Sequence, residues 1–276
     1  MSAADASTTT PTRPTKPRPS PIRYVALGAV AVLTWLAASD LTGIGLVTRL
    51  QRTFADGIPE RTAEIFDQIM SPDWGILGAT VDPFLETLAM AVLGTLIGCS
   101  LALLVAFGAS AITAGGRKRL AGTKSVMSVI RSVPDVMWAL IFVSAVGIGT
   151  ISGLLALILF NIGVVAKLLS ETIDAVDTGP LEAADAAGAG VIARARSAVF
   201  PQVLPNYLAF SLYAFEINVR ASAVLGLVGA GGIGELLMFF RNRFEYDRVS
   251  LVVVEIFVFV FLTELLSITL RRRLTE

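Results

Sequence analysis

The sequence predicts an all-α membrane protein with six transmembrane helices, and two observations carry this prediction. Hydrophobic residues make up 54% of the 276 residues and charged residues 16%, with a mean hydropathy of +0.74, so too few polar groups exist to cover a soluble globule. Long stretches without a charged residue also recur along the chain. A helix of about 20 apolar residues crosses the lipid bilayer with every backbone group bonded internally.

Composition also excludes several classes of function. Lys plus Arg and Asp plus Glu each number 22, so no net basic field attracts nucleic acid. Histidine is absent and Cys99 is the only cysteine. Ser-His-Asp and Cys-His nucleophilic sites, metal sites that need His, and disulfide frameworks are therefore excluded.

The N-terminal tail, residues 1–21, is rich in Thr and Pro and has nothing apolar to bury. We predict that it is a disordered cytoplasmic segment without a site. Residues 22–39 predict the first transmembrane helix, because residues 24–39 carry no charge and basic residues precede them. The basic start, the apolar run and the small residues 37–39 also fit a cleavable signal peptide, which is the alternative.

Residues 40–82 predict an external segment that contains a short helix. Pro59 suits the start of a helix, and four apolar side chains then fall on one helical face: Ile65, Phe66, Ile69 and Met70. An interfacial helix is the simpler interpretation. A docking surface for an external partner is the alternative.

Residues 83–274 predict a core with five more spans. Residues 87–116 suffice for one span, whereas the charge-free residues 136–166 are too long for a single crossing and predict a hairpin. Three glycines supply the break between spans at about 126–146 and 150–170: Gly147, Gly149 and Gly153. Spans at 206–228 and 249–270 complete the six.

The distribution of basic residues predicts the orientation. Most of the 22 Lys and Arg residues fall on the side that holds the N-terminal tail and the loop of residues 171–205. Because basic residues accumulate on the cytoplasmic side, both termini and this loop are predicted to be cytoplasmic.

Residues 171–205 contain signals for a short helix. Pro180 suits a first helical position, Glu182 suits the positive N-terminal end, and Gly188 suits the position after the last turn. The surface of this helix is nearly all alanine. Alanine favours helices anywhere, but it also forms a flat surface that a groove on another protein can hold, and composition alone does not decide.

The order Glu182-Ala183-Ala184, then Gly188, then Phe200-Pro201 resembles the EAA loop of ATP-binding cassette (ABC) importer permeases. The spacing is kept, although Ala198 and Phe200 stand where Ile and Leu are usual. The resemblance implies the type I ABC importer permease fold and a coupling helix that docks on an ATPase subunit. It implies this coupling role for Glu182, Ala183, Ala184, Asp185, Ala187 and Gly188.

Four further runs resemble the phosphonate importer permeases in particular: 131–135, 200–207, 215–226 and 229–234. The resemblance covers roughly residues 71–274. It implies a multi-pass permease of the bacterial inner membrane that moves phosphonate, phosphite or phosphate by alternating access. The expected partners are a second copy of the chain, two ATPase subunits and an extracytoplasmic binding protein. ATP and Mg²⁺ would bind the ATPase, so the chain itself would be no enzyme and hold no cofactor.

Two glycine patterns imitate nucleotide-binding motifs. Gly229, Gly231 and Gly234 satisfy G-x-G-x-x-G, but no soluble βαβ unit is predicted around them. We interpret them as a break at the end of a span, where exposed backbone amides can meet an anion. Lys124 follows Thr123 and not a glycine, so the pattern of a phosphate-binding loop is incomplete.

Glu216 and Arg220 lie four residues apart, on one helical face, and must pair or face water within a membrane. A structural ion pair is the simpler interpretation. Alternatively Arg220, together with Arg131 near Pro134, presents positive charge to an anionic phosphonate. The residues assigned to the translocation pathway are Arg131, Pro134, Glu216, Asn218, Arg220, Ser222, Gly229, Gly231, Gly232 and Gly234.

Two other classes of function stay open at this stage. An ion-gradient-driven secondary anion transporter would use the buried charges as a relay: Glu216, Arg220, Glu255 and Glu264. A membrane enzyme would need carboxylate or Lys chemistry. The alanine-rich loop disfavours the first, and the absence of His disfavours the second.

Overall fold

The computed structural model describes residues 21–41 and 60–275, and the chain divides into two units, Met1–Ala63 and Glu64–Glu276. In the first unit, helix α1 runs from Pro21 to Leu41, where the sequence predicts the first span. The predicted N-terminal tail lies outside the described residues, apart from Pro21. Helix α2, Glu60–Met70, crosses the division between the units.

The described part of the second unit continues with nine helices joined by short connections. A 3₁₀ turn at Trp74–Ile76 leads into them, and a π-helical turn at Ala195–Val199 separates two of them. They are α3 (Leu77–Ala109), α4 (Arg117–Ser132), α5 (Asp135–Val146), α6 (Thr150–Asp174), α7 (Gly179–Ala186), α8 (Val191–Arg194), α9 (Phe200–Gly226), α10 (Ile233–Asn242) and α11 (Tyr246–Thr275). The described residues contain no strand, which confirms the all-α class.

Four helical stretches of the described residues are long and apolar enough to cross a membrane: Trp74–Ala109, Thr150–Asp174, Val191–Gly226 and Tyr246–Leu270. Helices α4 and α5 together add at most one span, and the apolar stretch of α1, Val25–Trp35, is shorter. The described residues thus support four or five spans, and the sixth stays a prediction.

The predicted span at 126–146 is not one continuous helix, and whether the bent pair forms a span stays a prediction. Helices α4 and α5 meet at a bend of 89°, with Val133 in an extended conformation. Pro134 is the cause, because its ring disfavours helical conformation in the preceding residue and it has no N–H to donate.

The predicted hairpin between α5 and α6 is confirmed, with a correction to its glycines. Gly147 and Gly149 form the turn at φ +107° and +133°, values that favour glycine. Gly153 instead lies inside α6, where a Cβ would come within 2.8 Å of the Ala230 carbonyl oxygen. A glycine is needed at position 153 because the segment that contains Ala230 packs directly against α6 there.

The other predicted boundaries move by a few residues. Helix α3 begins at Leu77 and passes through Pro83, so it takes residues that were predicted for the external segment. Helix α9 begins at Phe200 and ends at Gly226. The helix predicted in the external segment is confirmed as α2, on which Ile65 is half-buried and Phe66, Ile69 and Met70 are exposed; Pro59 lies outside the described residues.

Helix α3 is the centre of the second unit, with α6 running parallel and α9 antiparallel to it. A Cβ on Gly94 would lie 2.9 Å from Leu157 of α6, and one on Gly98 would lie 2.7 Å from Asn161. Small residues thus let the two backbones approach, as in many membrane helix pairs. The Asn161 amide donates to the Gly94 carbonyl (3.0 Å), and the Asn218 amide of α9 donates to the Thr95 hydroxyl (2.8 Å).

Candidate coupling loop and glycine junction

The predicted helix in the loop of residues 171–205, here called the coupling loop, is confirmed as α7. The Glu182 amide donates to the Thr178 carbonyl (2.9 Å), which opens the helix, and Pro180 lies in its first turn. The end is closed by the Gly188 amide, which donates to the Asp185 carbonyl (3.0 Å). Gly188 has φ +73°, the left-handed position that glycine favours after a helix.

One face of α7 is buried and the opposite face is exposed. Leu181 is only 6% exposed and inserts into the apolar cluster formed by α3, α6 and α9, against which Ala184 is half-buried. The other five predicted coupling residues are exposed: Glu182, Ala183, Asp185, Ala187 and Gly188. The helix therefore displays a surface made almost entirely of small side chains.

Gln202 of α9 holds the start of α7 in place. Its side-chain oxygen accepts from the Asp177 amide (3.0 Å), and its side-chain nitrogen donates to the Asp177 carbonyl (3.3 Å) and to the Ala198 carbonyl (2.7 Å). The Asp177 carboxylate in turn accepts from the Gly179 amide. The sequence analysis did not assign Gln202, because nothing in a single sequence shows that it faces Asp177, 25 residues away.

The ends of α3 and α6 are joined beside the coupling loop. The Asp174 carboxylate accepts from the Ser110 hydroxyl (2.6 Å) and from the Ala111 amide (2.7 Å). Lys124 of α4 lies 3.9 Å from the other oxygen of Asp174. This cluster fixes the base on which the coupling loop rests.

At the opposite end of the same helices lies a second site, which we call the glycine junction: residues 226–234 together with their contacts on α3 and on the α5–α6 turn. Gly149 donates its amide to the Gly229 carbonyl (2.9 Å). A Cβ on Gly231 would lie 2.7 Å from the Thr150 nitrogen, and one on Gly226 would lie 2.6 Å from the Gly231 oxygen. The segments therefore pack backbone against backbone.

The backbone amides of the glycine junction bind side chains of the chain itself. Gly232 donates to the Glu86 carboxylate (3.2 Å) and Ile233 donates to the Thr87 hydroxyl (2.8 Å). The Thr150 hydroxyl also donates to Glu86. The expectation of exposed amides is thus wrong for Gly232 and Ile233, which are both buried. The Glu86 carboxylate of α3 already lies at the positive N-terminal end of α10, where an anion would otherwise bind.

The predicted ion pair on α9 is confirmed, with 2.8 Å between the Arg220 guanidinium and the Glu216 carboxylate. The Glu216 side chain is nearly buried, whereas half of the Arg220 side chain is exposed. Asn218 and Ser222 are fully buried. Asn218 binds α3 as described above, and the Ser222 hydroxyl donates to the Val219 carbonyl (3.0 Å), so these two side chains are used inside the bundle rather than on a surface.

Arg131 and Pro134 lie at the bend between α4 and α5. A Cβ on Gly163 of α6 would lie 2.9 Å from the Arg131 Cγ, so the stem of Arg131 rests on α6. A cavity of about 200 Å³ opens there, lined in part by Arg131, Asp135 and Phe160. The assigned pathway residues therefore lie in three places: on α9, in the glycine junction and at this bend.

Glu255 has a partner that sequence reasoning did not find. The Thr80 hydroxyl of α3 donates to its carboxylate (2.6 Å) across to α11. Glu255 also borders a groove of about 480 Å³ between these two helices, together with Phe84 and Phe259. This carboxylate, suggested for an ion relay under the alternative, is an acceptor that joins two helices.

These features place the chain in the class of all-α membrane proteins, and the sequence comparison then specifies the family. The family described as "Binding-protein-dependent transport system inner membrane component" matches residues 106–276. The chain belongs to this family. It is a permease subunit of the inner membrane and not an enzyme, and membership implies ATPase subunits and a binding protein as partners.

Two relatives and one solved structure show the extent of the similarity. The chain is 37% identical to the phosphite transport system permease protein PtxC of Stutzerimonas stutzeri, over 89% of this chain and 88% of that protein. It is 40% identical to the phosphate-import permease protein PhnE of Mycolicibacterium smegmatis, over 69% of this chain and 36% of that protein. A structure of the MetNI methionine ABC transporter in inward-facing conformations aligns with a TM-score of 0.63 at 22% identity, over 74% of this chain and 100% of that chain. This last likeness confirms the type I ABC importer permease fold.

Proposed function

We propose that the chain is the membrane permease of an ATP-driven importer for a phosphorus oxyanion: phosphite, a phosphonate or phosphate. The observation that carries the proposal is the 37% identity to a phosphite transport permease along nearly the whole chain. A cryptic phosphonate transport permease of Escherichia coli, PhnE2, is 42% identical over 43% of this chain. The three named substrates share a tetrahedral phosphorus with anionic oxygens.

In the proposed mechanism the exposed face of α7 docks on an ATPase subunit. Small side chains let a groove approach the helix backbone closely, and Leu181 and Gln202 transmit the movement to α9 and the apolar cluster. Two copies of the chain would form the pathway, with two ATPase subunits at the end that bears α7 and the binding protein at the opposite end. Both termini would be cytoplasmic. Substrate would cross by alternating access, in which ATP favours one of two packed states.

Within the pathway, Arg220 is the residue we expect to meet the anion. Glu216 holds one guanidinium nitrogen at 2.8 Å while half of the side chain stays exposed. Arginine keeps its charge in apolar surroundings, and its fork of donors fits a tetrahedral oxyanion. Replacement of Arg220 by Met should abolish uptake without preventing assembly. Wild-type uptake by an assembled Arg220→Met complex would eliminate this role.

The direct test is ATP hydrolysis by the permease reconstituted in vesicles with its ATPase and binding protein. Phosphite, methylphosphonate, phosphate and, as a control, methionine would be supplied in turn. We expect stimulation by at least one phosphorus compound and none by methionine. The double variant Glu182→Ala, Gly188→Leu should lose this stimulation, whereas Glu171→Ala, an exposed change in the same loop, should keep it. Uptake that needs a proton gradient and no ATP would refute the proposal and favour a secondary transporter.

A further inference from the structure

Arg194 contacts two separate parts of the molecule beside the coupling helix. It lies on α8, and one terminal nitrogen is 3.1 and 3.2 Å from the two carboxylate oxygens of Asp185. The other terminal nitrogen donates to the Ile112 carbonyl (3.3 Å). The side chain is 26% exposed, so it is partly shielded from water. A single guanidinium thus joins the C-terminal part of α7 to the segment that follows α3.

The segment that receives Arg194 is itself firmly held. The Ile112 amide donates to the Ser110 hydroxyl (3.1 Å), and the Thr113 hydroxyl donates to the Phe107 carbonyl (2.6 Å). Ser110 is also bound by Asp174 of α6, as described above. Ile112 therefore belongs to the same rigid base as the ends of α3 and α6.

The coupling helix is consequently held at its start, its middle and its end by contacts of different kinds. Gln202 holds the start, Leu181 in the first turn and Ala184 in the middle pack on the apolar cluster, and Arg194 holds the end. Apolar contact has no preferred direction, so the start and middle alone leave α7 able to pivot. Arg194 is thus the side chain that fixes the direction of the helix.

We propose that Arg194 is a positioning residue that prevents the coupling helix from pivoting, so that movement of the ATPase shifts the transmembrane helices instead of being absorbed in the loop. This inference rests on the proposed function. Arginine suits the task because its planar fork presents donors in two directions, whereas lysine presents one compact charge. Arg194 needs no contact with the ATPase or the substrate for this role.

The first measurement concerns the geometry alone. Spin labels at Ala186 of α7 and Lys118 of α4, both exposed, report the distance between the coupling helix and the bundle in the full-length permease before the ATPase is added, because a label on the exposed face of α7 would obstruct docking. We expect a narrow distance distribution in the wild type and a broader one in Arg194→Met, which keeps an apolar stem but loses both contacts. Arg196→Met, an exposed arginine two residues further on, should leave the distribution narrow.

The second measurement concerns coupling. We expect Arg194→Met to assemble with the ATPase and keep its basal ATP hydrolysis, while stimulation by the loaded binding protein falls about five- to tenfold, within the usual range of coupling between sites. Arg194→Lys should give an intermediate loss, because an ammonium keeps the pair with Asp185 but not the fork. Arg196→Met should be stimulated like the wild type.

The outcomes separate this inference from the proposed function. A distribution of unchanged width in Arg194→Met, or full stimulation of that assembled variant, overturns the positioning role. Loss of ATPase binding in Arg194→Met also overturns it, because Arg194 would then act in docking. If no phosphorus oxyanion stimulates the wild type, the proposed substrate class fails, and the spin-label distances still decide the role of Arg194.

Discussion

The glycine junction and the coupling loop lie at opposite ends of the same helices and are built on different principles. At the junction, backbone packs on backbone: Gly226, Gly231 and Gly153 all lie where a Cβ would come within 2.8 Å of another segment. At the coupling loop, one buried leucine and two long polar side chains hold a short helix whose outer face is exposed.

This difference shows which end can accept a partner. Direct backbone packing leaves no room for adjustment, because interiors are as dense as crystals and have few voids. The junction therefore acts as a fixed joint between α3, α6 and α10. Side-chain anchors leave the outer surface of α7 unused by the fold, so that surface is available for binding.

The largest expected loss of stability follows a substitution in the glycine junction. In Gly226→Ala, the new methyl group would lie 2.6 Å from the Gly231 oxygen, and Gly231 is itself held against Thr150. We expect a loss of about 3 kcal/mol of unfolding free energy, seen as a fall of roughly 6–12 °C in the thermal midpoint in detergent. Gly122→Ala on α4 is the matched control, since its new methyl group would meet no other side chain or segment within 4 Å, and it should unfold no earlier than the wild type.

A smaller effect is expected from the buried anchor of the coupling helix. Leu181→Ala removes most of a side chain that is 6% exposed and should lower the unfolding free energy by about 2–3 kcal/mol. Ile192→Ala in the same loop, where the side chain is 85% exposed, should leave the thermal midpoint unchanged. A greater loss in Leu181→Ala than in Gly226→Ala would contradict the contrast between the two ends.

The next largest loss of stability is expected when one hydrogen bond of the glycine junction is removed, the bond from the Ile233 amide to the Thr87 hydroxyl. Thr87→Val keeps the shape of the side chain but leaves the buried Ile233 amide without its acceptor, which should reduce stability by about 1–2 kcal/mol. Thr87→Ser restores the hydroxyl and should recover most of the loss in the same thermal measurement. Equal stability of the Val and wild-type proteins would mean that the hydrogen bond contributes nothing to the joint.

The smallest expected effect on stability is at the exposed face of α7. Ala183→Arg places a long side chain on a surface that the fold does not use, so the unfolding free energy should change by less than about 0.5 kcal/mol. Co-purification with the ATPase subunit should nevertheless be lost, because the side chain blocks close approach. An unstable Ala183→Arg permease would show that this face packs against the fold after all.

Local signals were sufficient for some elements and not for others. Pro180, Glu182 and Gly188 predicted α7 correctly, because capping depends on residues within one or two turns. The bend at Pro134 was missed, although the proline is visible in the sequence. Pro83 and Pro205 lie inside helices of this same chain, so a proline alone does not specify where an apolar helix bends.

The sequence by itself determined the all-α class, the hairpin at Gly147 and Gly149, and the helix of the coupling loop. Each follows from apolar length or from backbone preferences that act over a few residues. Membership of the permease family follows from its sequence motifs as well.

Only the tertiary structure decided which side chains hold the two ends. Glu86 accepts a hydrogen bond from the Gly232 amide, which lies 146 residues further along the chain. Arg194 donates a hydrogen bond to the Ile112 carbonyl, which lies 82 residues earlier. Such pairs depend on how the long helices pack, and that packing depends on where Gly94 and Gly98 let α3 and α6 approach. No local pattern encodes a partner so far away, because a hydrogen bond requires two groups to meet in space and not in sequence.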